Sequence, residues 1–269
     1  MDRARTVSRA HLILGTSLAF VIGTTIMVAL HETSHAVVGA LYGSRPTQLP
    51  FAVSFTPELS TNQAVVELLA GPAFSLLTGV AGVVVDRVYT PFRTRPFWRL
   101  VWLWTVFTSL QEAFGYLQVT AILDVGDTAQ AFELLNAPPA AYVAATVVGW
   151  ACLPLTAWAF SVPIRGLAAT VQDRTDMTVW PWLIGTGGFL VLMAGYVLLA
   201  AVDDPATVVA VLAAAVSLGV FAPMSMMFRA KRADAETPPA IGWPPVGGLV
   251  LLAALVAGNI VLTQGWIWP

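Results

Sequence analysis

The residues with the clearest capacity for chemistry are two histidines four positions apart, His31 and His35, with Glu32 directly after the first. The whole chain has three histidines, so two of them belong to this one short segment. Positions i and i+4 lie on the same face of an α-helix, and both imidazoles can therefore reach one metal ion. Glu32 can then hold and deprotonate a water bound to that ion. The spacing predicts a metal site that activates water.

The composition around this motif is that of a membrane protein. Hydrophobic residues make up 57% of the chain and charged residues only 10%, and the mean hydropathy is +0.76. Soluble domains average about 25% charged residues, so we expect an integral membrane protein. The net charge of −2, with no basic stripe, argues against a nucleic-acid partner. Histidine and glutamate are costly in hydrocarbon, so we interpret their cluster as a functional site. The structural alternative is that these are buried polar side chains whose hydrogen bonds are made to neighbouring helices.

Seven apolar stretches are long enough to cross a bilayer at about 20 residues per crossing. We therefore expect an all-α fold of about seven transmembrane helices, with short connections and no separate soluble domain. The first stretch lacks a small-residue cleavage site, so it is expected to remain as a helix rather than to be removed as a signal peptide. The stretches lie near residues 10–42, 63–88, 97–122, 140–164, 178–201, 205–228 and 243–266.

The basic residues predict an orientation in the cell membrane. Twelve of the thirteen arginines and lysines fall in segments on one side of the predicted spans, and only Arg45 falls on the other. The positive-inside rule assigns the basic side to the cytoplasm. We therefore expect a cytoplasmic N-terminus and an outer C-terminus, with the two neighbouring histidines toward the outer side.

A catalytic zinc site generally needs three protein ligands and a water, so two histidines are too few. His11 is a poor third ligand, because it lies about 30 Å along the same helix at 1.5 Å per residue. Cys152 lies in a later apolar run and is expected to pack between helices. The better candidates for the third ligand are acidic: Glu67, Glu112, Asp124 and Asp127.

Three segments together resemble the site-2 protease family of intramembrane zinc metalloproteases. They are His31-Glu32-x-x-His35 with the following Ala36–Gly39, the stretch Ala70-Gly71-Pro72-Ala73-Phe74-Ser75, and the aspartate segment Leu123-Asp124-Val125-Gly126-Asp127. The resemblance implies a three-helix catalytic core within a domain of residues 1–138. A four-span region over residues 139–269 has no counterpart in it. The asparagine and prolines that family members often have near the third ligand do not occur before Asp124.

The resemblance also implies a role for each site residue. His31, His35 and one aspartate would bind Zn²⁺. Glu32 would accept a proton from the water that zinc acidifies and later deliver it to the leaving amine. We favour Asp127 as the third ligand, because a Gly-Asp pair at the start of a helix gives the carboxylate a fixed position. Asp124 is the substitute, and one of the two aspartates could serve only as a helix cap.

The residues Thr47–Phe55 alternate in a way that predicts a short membrane-associated strand directly after the zinc helix. Peptide hydrolysis needs an extended substrate, and a substrate strand could pair with the open edge of this one. An ordinary interfacial loop is the alternative.

Two further features concern the second and third apolar stretches. The resemblance implies that Gly71 and Pro72 bend their helix toward the metal, with Ser75 facing the site; a plain proline kink is the alternative. Gln111 and Glu112 would be costly against lipid, so we expect them to face the protein interior, as a clamp between helices or as substrate contacts.

These expectations converge on an intramembrane zinc metalloprotease that hydrolyses a peptide bond in or near a transmembrane segment of another membrane protein. Its partners are then that substrate and the lipid bilayer. Two alternatives stay open: a zinc protease class whose third ligand is a glutamate, Glu112 or Glu67, and a non-catalytic metal-binding scaffold or transporter. Glu32 argues against the scaffold, because a pure binding site needs no general base beside its ligand.

Overall fold

Helices dominate the computed structural model, which describes residues 8–122, 126–228, 241 and 245–268. The described residues form eight α-helices, one 3₁₀ helix and three short strands. The expectation of a helical protein with a small strand element is thereby confirmed in its coarse form. In chain order the elements are α1 (Arg9–Leu41), β1 (Arg45–Leu49), β2 (Ala52–Thr56), α2 (Thr61–Tyr89), α3 (Pro96–Val119), α4 (Asp127–Leu134), α5 (Pro139–Leu167), α6 (Val171–Leu199), α7 (Pro205–Ser217), the 3₁₀ helix (Ala222–Met227), α8 (Val246–Leu262) and β3 (Trp266–Ile267).

Among the described residues, five helices are long and apolar enough to cross a membrane: α1, α2, α5, α6 and the run Pro205–Met227 that α7 and the 3₁₀ helix form together. They indicate a membrane protein. The described residues thus contain five such helices against the seven spans expected, and eight α-helices in all. The stretch near 97–122 forms α3, which carries buried polar side chains such as Arg99 and Glu112 and packs against α1, α2 and α5. The last stretch forms α8, an apolar helix of 17 residues, at the lower end of the range of about 17–25 residues that crossings use.

The central element is α1, which packs against α2, α3 and α6. Two thirds of its most apolar window is buried inside the protein, compared with a third or less in the other four spans. Close packing depends on small residues: a Cβ at Gly23 would lie 2.8 Å from the backbone nitrogen of Thr105 on α3. Phe20 meets Trp104 edge to face at 4.8 Å. The helix that carries both neighbouring histidines is therefore held on several sides by protein.

Several buried polar groups in these helices find partners within the protein, which lowers their cost in a lipid environment. The hydroxyls of Thr16, Thr25 and Thr108 donate to the backbone carbonyls four residues earlier, at 2.7–2.9 Å. Arg99 of α3 forms a buried ion pair with Asp86 of α2, and the indole N–H of Trp102 donates to the same carboxylate. This ion pair ties α2 to α3 near the C-terminal end of α2.

The strand expected over Thr47–Phe55 is in fact a hairpin, so this expectation needs correction. β1 and β2 pair antiparallel, and the turn falls at Pro50 and Phe51 because proline fixes its own φ and has no N–H for a ladder. On its other side β1 pairs with β3 from the C-terminal end of the chain, which gives the strand order β2-β1-β3. The outer edge of β2 therefore has no strand partner within the described part of the chain.

Candidate metal centre

The two histidines of α1 lie on one face of the helix, as their spacing predicts. Both are almost completely buried, at 2% exposure for His31 and 5% for His35. Their Nε2 atoms face each other at 3.2 Å. The helix alone brings the two imidazoles together, since residues i and i+4 stand one turn apart.

Asp127, the first residue of α4, completes the cluster. Its Oδ2 atom lies 3.3 Å from Nε2 of His31 and 3.4 Å from Nε2 of His35. The residue before it, Gly126, has φ +89°, a conformation that favours glycine, and this sharp turn directs α4 toward the histidines. The structure thus brings together the three residues favoured from the sequence. Asp124, the substitute, lies outside the described residues.

One face of α2 contacts both imidazoles. Gly71 leaves the space they occupy, because a Cβ there would overlap Nε2 of His35 and lie 2.6 Å from Nε2 of His31. Ser75 Oγ lies 3.1 Å from Nδ1 of His31. Glu67 contacts Nδ1 of His35 with its carboxylate at 2.8 Å and with its backbone carbonyl at 2.9 Å. Residues 67, 71 and 75 follow one another at intervals of four, so they share a face of α2.

These outer contacts decide which nitrogens face the centre. When each Nδ1–H donates outward, to Ser75 or to Glu67, each Nε2 carries its lone pair inward. Two lone pairs and a carboxylate oxygen then meet at one point, and three acceptors this close repel one another unless a cation lies between them. All three ligand atoms lie within 4.8 Å of one another, so the group can hold a metal ion.

The separations between the three atoms match a tetrahedral metal site. Zinc bonds nitrogen and oxygen ligands at about 2.0–2.1 Å, and tetrahedral angles then put the ligand atoms roughly 3.3–3.4 Å apart. The observed separations are 3.2, 3.3 and 3.4 Å. Three ligands on one side of such a site leave a fourth position open for water or substrate.

Glu32 and Glu112 are buried beside the histidines, and both line the same small cavity. Glu112 lies 3.9 Å from Nδ1 of His31, on the outer side of the imidazole rather than at the centre, and Glu67 likewise contacts an Nδ1 atom. Neither Glu112 nor Glu67 therefore has the position that a third ligand requires. Ionising several of these carboxylates together with Asp127 in the interior would be costly without a compensating cation.

Tyr116 is a site residue that the sequence did not reveal. Its ring stacks on that of His31, with centroids 5.5 Å apart and planes 6° from parallel, and its hydroxyl lies 3.5 Å from His31 Nε2. The one available signal is its spacing from Glu112, four residues earlier on α3, which puts both side chains on one face. Gln111 and Glu112 are buried, as expected from their cost in lipid.

Comparison with known proteins adds no relative: no family model, curated protein or solved structure matches this chain. The donor atoms, their burial and their spacing are therefore what bear on function.

Proposed function

We propose that this protein is an intramembrane zinc metalloprotease that hydrolyses a peptide bond in or near a transmembrane segment of another membrane protein. One observation carries the proposal: His31, His35 and Asp127 present three donor atoms at tetrahedral spacing, and Glu32 directly follows the first ligand. Two imidazoles and one carboxylate with an open fourth position form a catalytic type of zinc site. Magnesium and calcium prefer oxygen ligands alone, so the donor set disfavours them.

The residues of the chain divide the chemistry between them. Zinc supplies Lewis-acid chemistry, because it lowers the pKa of water toward about 7 and polarises a peptide carbonyl. Glu32 is the general base that takes a proton and returns it to the leaving amine. Ser75 and Glu67 hold the imidazoles in the tautomer and orientation that the ligands need. The Tyr116 hydroxyl lies close enough to the ligand atoms to donate to the oxygen on which negative charge develops.

An extended substrate has a place to pair in this fold. Both edges of β1 are occupied, by β2 and by β3, whereas the outer edge of β2 has no strand partner among the described residues. The hairpin lies against α1, since a Cβ at Gly39 would overlap the ring of Phe55. A substrate segment added to β2 would satisfy its backbone groups as a strand while it lies next to the zinc helix.

The orientation with a cytoplasmic N-terminus is part of the proposal and has its own test. In a Cys152→Ser background, the thiol of Glu58→Cys should react with a membrane-impermeant maleimide in intact cells, since this loop is expected outside. The thiol of Arg93→Cys, in the basic loop between α2 and α3, should react only after the cells are permeabilised. The reverse pattern would overturn the orientation.

Elemental analysis of the detergent-purified protein tests the metal. About one zinc per chain is expected in the wild type, and it should be lost in His35→Ala and Asp127→Ala because each removes a ligand. Glu32→Gln, Asp124→Ala and the matched control His11→Ala should retain it. A folded wild type that binds no zinc when metal is supplied in excess would refute the metal site.

Terminal proteomics on host membranes tests the hydrolysis separately. New N-termini inside transmembrane segments should arise with the wild type and be absent with Glu32→Gln, which retains the metal but loses the base. Equal cleavage by both would refute the role of Glu32. A zinc-loaded wild type that produces no new termini against any membrane protein would favour the metal-binding scaffold instead.

A further inference from the structure

A cavity of about 50 Å³ lies against Glu32, and most of its wall comes from helices outside the catalytic core that the sequence resemblance implies. On one side stand three polar groups, Glu32, Glu112 and Tyr116, from α1 and α3. Most of the cavity's apolar lining comes from α6, from α7 and from the residue directly after α7; these residues are Phe189, Met193, Val211, Ala214, Ala215 and Leu218.

The apolar side is a built surface rather than loosely packed chain. Phe189 and Leu218 are almost completely buried, and Ala215 is 1% exposed. The turn of the hairpin contributes Phe51 to the same cavity. The cavity therefore adjoins the hairpin with which a substrate strand could pair. Metal binding and proton transfer need none of these apolar groups, which leaves the wall without a role in the chemistry itself.

The size of the cavity limits what it can hold. A cavity needs about 10–15 Å³ for each water, so this one has room for three to five waters or for a single branched aliphatic side chain. An aromatic group of two rings would exceed it. A basic side chain would meet the carboxylates, but its charge would have to be buried against six apolar residues, which is costly.

We infer that this cavity is a specificity pocket in which α6 and α7 receive one aliphatic side chain of the substrate next to the bond that is cut. The inference rests on the proposed function, because it takes Glu32 and the metal ligands as the reacting centre. It assigns a task to α6 and α7: they select the substrate residue, while α1, α2, α3 and α4 supply the chemistry. Ala215 lines the pocket, and a longer side chain at this position is expected to fill it.

Small hydroxamates are suitable probes, because they chelate zinc and can carry a side chain next to the chelating group. Four are compared on the zinc-loaded full-length protein in detergent, by calorimetry: methyl, isobutyl, naphthylmethyl and aminobutyl. Burial of three further carbons should make the isobutyl compound bind about tenfold or more tightly than the methyl compound. The naphthylmethyl compound should bind at least tenfold more weakly than the isobutyl compound, because it does not fit.

Three variants locate the effect. Ala215→Leu should reduce the isobutyl advantage to less than threefold while the zinc content and the affinity for the methyl compound stay unchanged. Ala213→Leu, the same exchange at an exposed position of α7 outside the cavity, should leave the preference intact. Met193→Ala enlarges the cavity and should strengthen binding of the naphthylmethyl compound, which keeps the inference testable when the leucine variant does not fold.

The outcomes separate this inference from the proposed function. Equal binding of all four compounds by zinc-loaded protein would overturn the pocket and leave the metal site intact. The same holds if both cavity variants, Ala215→Leu and Met193→Ala, show the wild-type order of affinities. Tightest binding of the aminobutyl compound would overturn the aliphatic assignment. Protein that retains no zinc would bind none of the compounds, and that result would refute the metal centre itself.

Discussion

Gly71 stands so close to His35 that no side chain fits between them. A Cβ at position 71 would overlap the Nε2 atom of His35, and it would also lie 2.6 Å from Nε2 of His31. The glycine belongs to α2 and the histidines to α1, so the absence of one side chain lets two helices approach at the point where a metal would bind. The approach of α2 is thus as necessary for this site as the spacing within α1.

Gly71→Ala should therefore abolish metal binding. The added methyl group must displace an imidazole from its place, because overlap with a buried group forces side chains out of position. We expect the zinc content to fall below roughly a tenth of the wild-type value, measured by elemental analysis on folded protein.

Gly79→Ala is the matched control for this variant. It lies on the same helix and is similarly crowded, with Leu110 atoms 2.7 Å from the position of a Cβ, but its neighbours are apolar and away from the site. It should lower the melting temperature and leave the zinc content unchanged. Full zinc binding by Gly71→Ala would contradict the geometry of the site.

Glu67→Gln should weaken zinc binding without abolishing it. The carboxylate of Glu67 lies 2.8 Å from Nδ1 of His35 and is placed to fix the orientation of that ligand and to increase its basicity. Loss of such an outer partner typically costs about 10–100-fold in metal affinity. Competition with a chromophoric chelator measures the change. Glu58→Gln, at an exposed position between β2 and α2, should show no change, and equal affinity in both variants would remove Glu67 from the site.

The sequence was sufficient for the parts of the site that depend on local spacing. His31 and His35 come together because one helical turn separates them, and Asp127 was favoured because a glycine precedes it at the start of a helix. Ser75 was expected to face the site through the Gly71-Pro72 stretch, and it lies 3.1 Å from His31 Nδ1. The histidine pair and the preference for Asp127 over Asp124 needed only the geometry of a single helix or its first turn, whereas the position of Ser75 was implied by the family resemblance.

What the sequence could not supply depends on contacts between distant elements. The apolar stretch that forms α3 resembles a lipid-facing span in the sequence, because hydropathy alone does not show which helices will surround it; in the structure it packs against α1, α2 and α5. Tyr116 was missed because a single tyrosine in such a stretch has no pattern of its own. The pairing of Gln48 with Trp266 joins positions more than two hundred residues apart, and no local signal indicates it.

Asp86→Ala should strongly destabilise the protein without affecting the metal. It would leave Arg99 buried without its carboxylate, and breaking a buried ion pair from one side typically costs about 3–5 kcal/mol. The free energy of unfolding, measured by denaturant titration in mixed micelles, should fall by that amount. The zinc content of the folded fraction should stay at the wild-type value, because Asp86 lies four turns of α2 beyond Gly71.

The double variant Asp86→Ala, Arg99→Leu provides the internal control. Removing both charges eliminates the unpaired arginine, so at least half of the lost stability should return. Asp203→Ala, at an exposed position before α7, should change the stability little. A double variant no more stable than Asp86→Ala would show that the cost does not come from the unpaired charge.

Tyr116→Phe should slow hydrolysis while it leaves the metal site intact. The phenylalanine ring can keep the stacking on His31, so the substitution removes only the hydroxyl. Loss of one donor to a developing oxyanion typically lowers kcat by about 10²–10³-fold. With a substrate identified by terminal proteomics, we expect a fall of that size in kcat, little change in KM and an unchanged zinc content. Tyr42→Phe, at an exposed tyrosine, should match the wild type in all three. A kcat within twofold of the wild type would limit Tyr116 to holding His31 in place, since a donor to the transition state cannot be removed without slowing the reaction.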